Sequence, residues 1–110
     1  MKLQEIIETL HLKSLTDVEE KDVSGVFISD MLSDVMSSAK AEHLWLTVQI
    51  HKSIVAPANL IGIAAIVITH GKNVPQDTID LANRFHVVIL SASISTFELA
   101  SKLAGIGLEP

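Results

Sequence analysis

The sequence predicts an α/β domain of three layers, a mostly parallel sheet of about four strands flanked by helices. Three observations carry this reading. Apolar, β-rich runs alternate with segments of helical periodicity. The runs are nearly continuously hydrophobic instead of alternating, as strands buried on both faces are. The connections are short, which with right-handed crossovers favours parallel neighbours. At 110 residues, 48% hydrophobic and 19% charged, the chain is expected to form a single domain over residues 1–110.

Leu3, Ile6, Ile7 and Leu10 fall at i, i+3, i+4 and i+7 and predict an opening amphipathic helix, with Glu5 and Glu8 outward. The charged run from Thr16 to Asp22 reads as an exposed turn. Val23 to Ser29 reads as a strand, and Asp30 is placed to cap a helix carrying Met31, Leu32, Val35, Met36 and Ala39. A second strand is expected over Leu44 to Ile50. A short helix follows over Ser53 to Leu60, with Pro57 suited to its first turn and Gly62 to its end. Ile63 to Thr69 reads as the third strand. Pro75 then opens a helix with Asp77 in its positive first turn. Val87 to Leu90 is the fourth strand. In the last helix, Ser95 and Glu98 have capping-box spacing, Ile94 and Leu99 can staple the start, and Gly105 is expected to stop it.

Composition removes several functions. There is no cysteine, so disulfides, zinc-thiolate sites and thiol nucleophiles are excluded. Met1 to Glu5 lacks a basic-then-apolar secretory layout, and the apolar stretch from Leu60 to Thr69 is about half of what a membrane-spanning helix needs. A cytoplasmic protein without membrane contact is the expectation. Net charge is −5, and the eight basic residues are scattered singly, which argues against nucleic acid.

Four stretches across nearly the whole chain resemble the DRTGG domain: Val23 to Val35, Leu44 to Gln49, Ala65 to Gly71, and Ser95 to Leu99. His51-Lys52 stands where that family usually has Asp-Arg, and Thr69-His70-Gly71 where it has Thr-Gly-Gly. Lys52 keeps a positive charge without the planar fork of arginine. The resemblance implies an α/β fold and a regulatory or structural companion role. Such domains accompany CBS domains in inorganic pyrophosphatases, occur in phosphotransacetylases, and are similar to the N-terminal domain of HPr kinase.

Ligands of parallel α/β sheets gather beyond the carboxyl ends of the strands. That rule selects Ser29, Asp30, Gln49, His51, Lys52, Thr69, His70, Gly71, Ser93 and Thr96 as candidate ligand-binding residues, whose hydroxyls, imidazoles and single cation suit a small anion. The plain alternative is that these serines and threonines are caps and Gly71 a turn residue. Among the five histidines, His51 and His70 are the pair to weigh for a metal, but neither lies in a spaced ligand motif, and no metal or other cofactor is expected. His11, His43 and His86 sit near element ends, Trp45 reads as core or interface packing, and Asp30 and Asp34 as cap and surface residues.

Gly-x-Ser-x-Gly, Gly-x-x-x-x-Gly-Lys-Ser/Thr and Gly-x-Gly-x-x-Gly are all missing from the chain. The sequence is therefore read as a non-catalytic regulatory or protein-interaction module that forms a homodimer, because its apolar fraction exceeds what one thin core hides. A sensor of a small anionic ligand, nucleotide or phosphate, is the alternative. A phosphoryl- or acyl-transfer enzyme using Ser29, His51 or His70 would need nucleophile and base within about 3 Å in an enclosed pocket.

Overall fold

A computed structural model describes all 110 residues. Helix α1 (Leu3–Leu10) leads into β1 (Lys13–Ser14), β2 (Gly25–Ile28) and α2 (Leu32–Ser38). Then come β3 (His43–Thr47), a 3₁₀ turn (Lys52–Ile54), α3 (Val55–Ile61) and β4 (Ala65–Ile68). Helix α4 (Gln76–Arg84), β5 (Ile89–Ser91) and α5 (Thr96–Gly105) complete the chain. The sheet order is β1-β5-β4-β3-β2, with β2 to β5 parallel and β1 antiparallel to β5.

The three layers follow from that order. Strands β2 to β5 are consecutive neighbours, so crossovers of one hand carry α2, α3 and α4 to the same face. Side chains alternate across the sheet: Trp45, Ile66, Ile68 and Ile89 pack with Val35, Val55, Ala58 and Ala82 beneath these helices. Leu44, Leu46, Val67 and Leu90 point the other way, against Leu3 and Ile6 of α1 and Leu99 and Leu103 of α5. Every residue of β3 and β4 is buried.

Where the structure departs from the sequence reading, the causes are local. Strand β1 was not foreseen, because two polar residues carry no periodic signal; its backbone is aligned by the Leu15 N–H donating to the Ile89 carbonyl at 2.9 Å. Thr16, expected in an exposed turn, is buried because its hydroxyl oxygen accepts from the Ile89 N–H at 3.0 Å. Asp17, Glu19, Glu20 and Asp22 are exposed as expected. Strand ends also shift. Residues 23–24 and 48–50 are outside β2 and β3, and β5 begins at Ile89. Pro57 lies in the first turn of α3, which ends on left-handed Gly62 (φ 84°). Helix α5 runs through Gly105, and the left-handed residue is Gly107 instead. Its start matches the expectation, the Glu98 N–H donating to Ser95 Oγ at 3.1 Å. No helix is long and apolar enough to cross a membrane.

Candidate functional site

Because β2 to β5 are parallel neighbours, the segments that follow them share one edge of the molecule. The first two are stitched together. Asp30 Oδ1 accepts from the Thr47 hydroxyl at 2.8 Å and the Val48 N–H at 2.9 Å, while Gln49 Nε2 donates to the Asp30 carbonyl at 2.9 Å. Thr47 Oγ1 accepts in turn from the Gln49 N–H at 3.1 Å. Asp30 is thus no helix cap, contrary to the sequence reading: Met31 occupies that position and no side chain caps α2. The register explains why. Ile28 lies opposite Leu46, so Ser29 and Asp30 run beside Thr47 and Val48, whose free N–H and hydroxyl face the carboxylate. Trp45, fully buried, donates its indole N–H to the Ser29 carbonyl at 2.8 Å, and Ser29 Oγ accepts from the Met31 N–H at 3.1 Å.

A second stitched region joins the ends of β4 and β5. Buried Thr69 and half-buried Thr96 share a hydroxyl-to-hydroxyl bond of 2.6 Å. His70 and Gly71 are both left-handed (φ 63° and 62°), which suits a glycine at the second position and places their N–H groups on the Ile94 and Ala92 carbonyls at 2.8 and 3.0 Å. His70 Nε2 accepts from the Thr96 N–H at 3.3 Å. Exposed Ser93 lies beside Gly71, where an added Cβ would sit 3.9 Å from its Cα. The Thr69 N–H donates to the Thr47 carbonyl at 3.1 Å and ties the two regions together.

His51 and Lys52 are set apart from both. His51 Nδ1 accepts from the Ser53 N–H at 3.1 Å, capping the 3₁₀ turn. This turn packs against α4, and the two bound a cavity of about 530 Å³ lined by His51, Lys52, Ser53, Asp77, Asp80, Leu81 and Arg84. A second cavity of about 340 Å³ shares Lys52 and Leu81 and continues between α3 and α4 over Val55, Ala56, Asn59, Leu60 and Phe85. The chain's ion pairs, Lys2 with Asp22 and His86 with Glu19, lie elsewhere, so Lys52 and Arg84 have no carboxylate in contact.

The structure therefore brings Ser29, Asp30 and Gln49 together, brings Thr69, His70, Gly71, Ser93 and Thr96 together, and places His51 and Lys52 on the neighbouring groove. The histidines and carboxylates form no group of three able to hold a metal ion. His43 is buried, its Nδ1 accepting from the Lys40 N–H at 3.2 Å; burial, reinforced by the Lys40 charge, holds its pKa below the usual 6.5. Sequence reasoning missed Thr47, Asp77, Asp80, Arg84, Leu60 and Phe85. For Thr47 there was a signal, a lone hydroxyl ending an apolar strand. The groove had none, since it depends on two helices separated in sequence.

The fold and its edge define a three-layer α/β domain whose parallel strand ends converge on one hydrogen-bonded rim. No family model and no curated protein matches the sequence. Among solved structures, the chain is similar to the CBS and DRTGG domains of the regulatory region of Clostridium perfringens pyrophosphatase, complexed with the activator diadenosine tetraphosphate. The TM-score is 0.69 at 14% identity, over 90% of this chain and 44% of that one. The chain has a DRTGG-like fold and spans less than half the length of this neighbour.

Proposed function

We propose that the chain is a non-catalytic regulatory module that works in the cytoplasm as a homodimer. The observation that carries this reading is the apolar margin along β2. This strand ends the sheet opposite β1; the Val26 N–H on its outer edge already donates to the Glu109 carbonyl at 3.0 Å, so the surface open to a partner is the apolar one around the Ile28 end. Ile28 is 50% exposed at its end, Met31 and Met36 stand exposed around α2, and Phe97 is 82% exposed on the first turn of α5. Phe97, Ala100 and Ala104 fall on one side of α5, and the two alanines form a shallow, mainly apolar recess with Val26, Ile28 and Leu108, closed at one side by Glu109 and Pro110. So many exposed large apolar side chains on a small domain suit a self-complementary contact.

The non-catalytic part rests on how the rim uses its reactive groups. Ser29 Oγ, His51 Nδ1 and His70 Nε2 all accept from backbone N–H groups, and although His51 lines a cavity, Ser29 shares no cavity with either histidine. Sedimentation velocity at micromolar concentration tests the dimer. A dimer is expected, with Ile28→Lys and Phe97→Lys each weakening it on the order of thirtyfold, as loss of an interface anchor does. A wild-type chain that sediments as a stable monomer overturns this reading.

A second reading, sensing of a small anionic ligand, is favoured by the unpaired Lys52 cation at the cavity wall. The pyrophosphatase regulatory region was crystallised with a nucleotide activator, which lends this reading support by analogy of fold.

A further inference from the structure

We infer that the ligand site of this chain, if it senses a small molecule, is the groove between α3 and α4 centred on Lys52, and that its ligand is a small organic ion with a flat apolar body and one anionic group. The inference rests on the sensing reading above and moves its site away from the rim.

Three features of the groove set this chemistry. Its lower half is apolar: Val55 forms a buried floor, Leu81 a half-buried wall, and Leu60 and Phe85, 75% and 47% exposed, stand as two sides of a slot. At about 340 Å³ that half is the size of a small-ligand pocket lined mainly by hydrophobic side chains with few polar groups. Leu60 and Phe85 expose apolar surface that a flat body inserted between them would take out of water. Lys52 lines both halves, so an anionic group attached to that body meets an ammonium that makes no direct ion pair.

The upper half limits the ligand's charge. Asp77 and Asp80 share that wall with Arg84, and Asp80 is engaged only by Gln76 Nε2 at 2.8 Å. A chain of phosphates running upward from Lys52 would meet two carboxylates against the single Arg84 cation, so its added charges gain no net attraction there. Hydroxyl or amino groups would instead find acceptors there. The rim offers no comparable place, because Asp30, Thr47, Thr69, His70 and Thr96 are already bonded to one another or to backbone.

The probe is 1-anilinonaphthalene-8-sulfonate, an aromatic monoanion with an N–H, titrated into the ¹⁵N-labelled full chain and followed by amide chemical shifts. Inorganic phosphate and adenosine triphosphate serve as charge-only and polyanion comparisons. Saturable shifts are expected at Ser53, Ala56, Asn59, Leu60 and Phe85, with weaker binding of both comparison anions. Lys52→Met should weaken the probe at least about tenfold, and Ala56→Phe, an exposed position that fills the slot, should abolish the shifts while leaving the rest of the spectrum in place. Saturable shifts confined to residues 29–30 and 69–71 would overturn the groove and leave the sensing reading standing. Shifts confined to Ile28, Ala100 and Ala104 would mark the probe as a reporter of the β2 margin and also overturn it. If none of the three compounds produces saturable shifts, the groove and the sensing reading fall together.

Discussion

The strand-end rim and the α3–α4 groove lie side by side and use similar residue types to opposite ends. On the rim, Asp30, Thr47, Gln49, Thr69, His70 and Thr96 hold one another and the adjacent backbone at hydrogen-bonding distances. In the groove, Lys52 and Arg84 hold no ion pair, and Leu60 and Phe85 stand partly in solvent. Parallel strands leave N–H and C=O groups unpaired where the ladder stops, and nearby polar side chains are recruited to satisfy them. Lys52, carried on a 3₁₀ turn whose start His51 caps, escapes that demand and stays unpaired. A polar residue at a strand end is therefore a weaker pointer to function than one carried a step beyond it.

That contrast can be broken by stability measurements. Trp45→Phe removes the indole donor to Ser29 and leaves a void under α2 and α3, so urea unfolding followed by circular dichroism should report a loss of about 2–3 kcal/mol. A loss near zero would mean that the rim is not supported from below. Thr69→Val deletes a buried hydroxyl and deprives Thr96 of its partner; about 1–2 kcal/mol is the expected loss by the same measurement. Lys52→Met should change stability by less than about 0.5 kcal/mol, as an exposed side chain without a partner does. If Lys52→Met proved as damaging as Thr69→Val, the division between stitched rim and open groove would disappear.

Most of the fold was legible because its signals are local. Continuous apolar runs marked β2 to β5, and residues such as Gly62, Pro75 and Ser95 marked helix ends by chemistry that needs no distant partner. What escaped was decided by partners far along the chain. Lys13 and Ser14 become a strand only because Ser91 and Leu90 lie opposite them, and Thr16 is buried by an amide 73 residues away. The site was legible as a location: the rule of strand ends selected Ser29, Asp30, Thr69 and His70, which do gather at one edge. Whether such a residue is engaged or available depends on register and loop path. Asp30 illustrates this, since its spacing before α2 suggested a cap and Thr47 drew it elsewhere.

The antiparallel pairing of β1 with β5 has a consequence for how the molecule assembles. The opening segment docks on the last strand, and Leu3 and Ile6 of α1 share a core with Leu99 and Leu103 of α5. During synthesis residues 1–15 emerge long before their partners at 89–103, so this layer closes only once those later residues have been made. Contacts of such long sequence separation slow the search, and each of these two helices supplies side chains that the other needs to complete the layer.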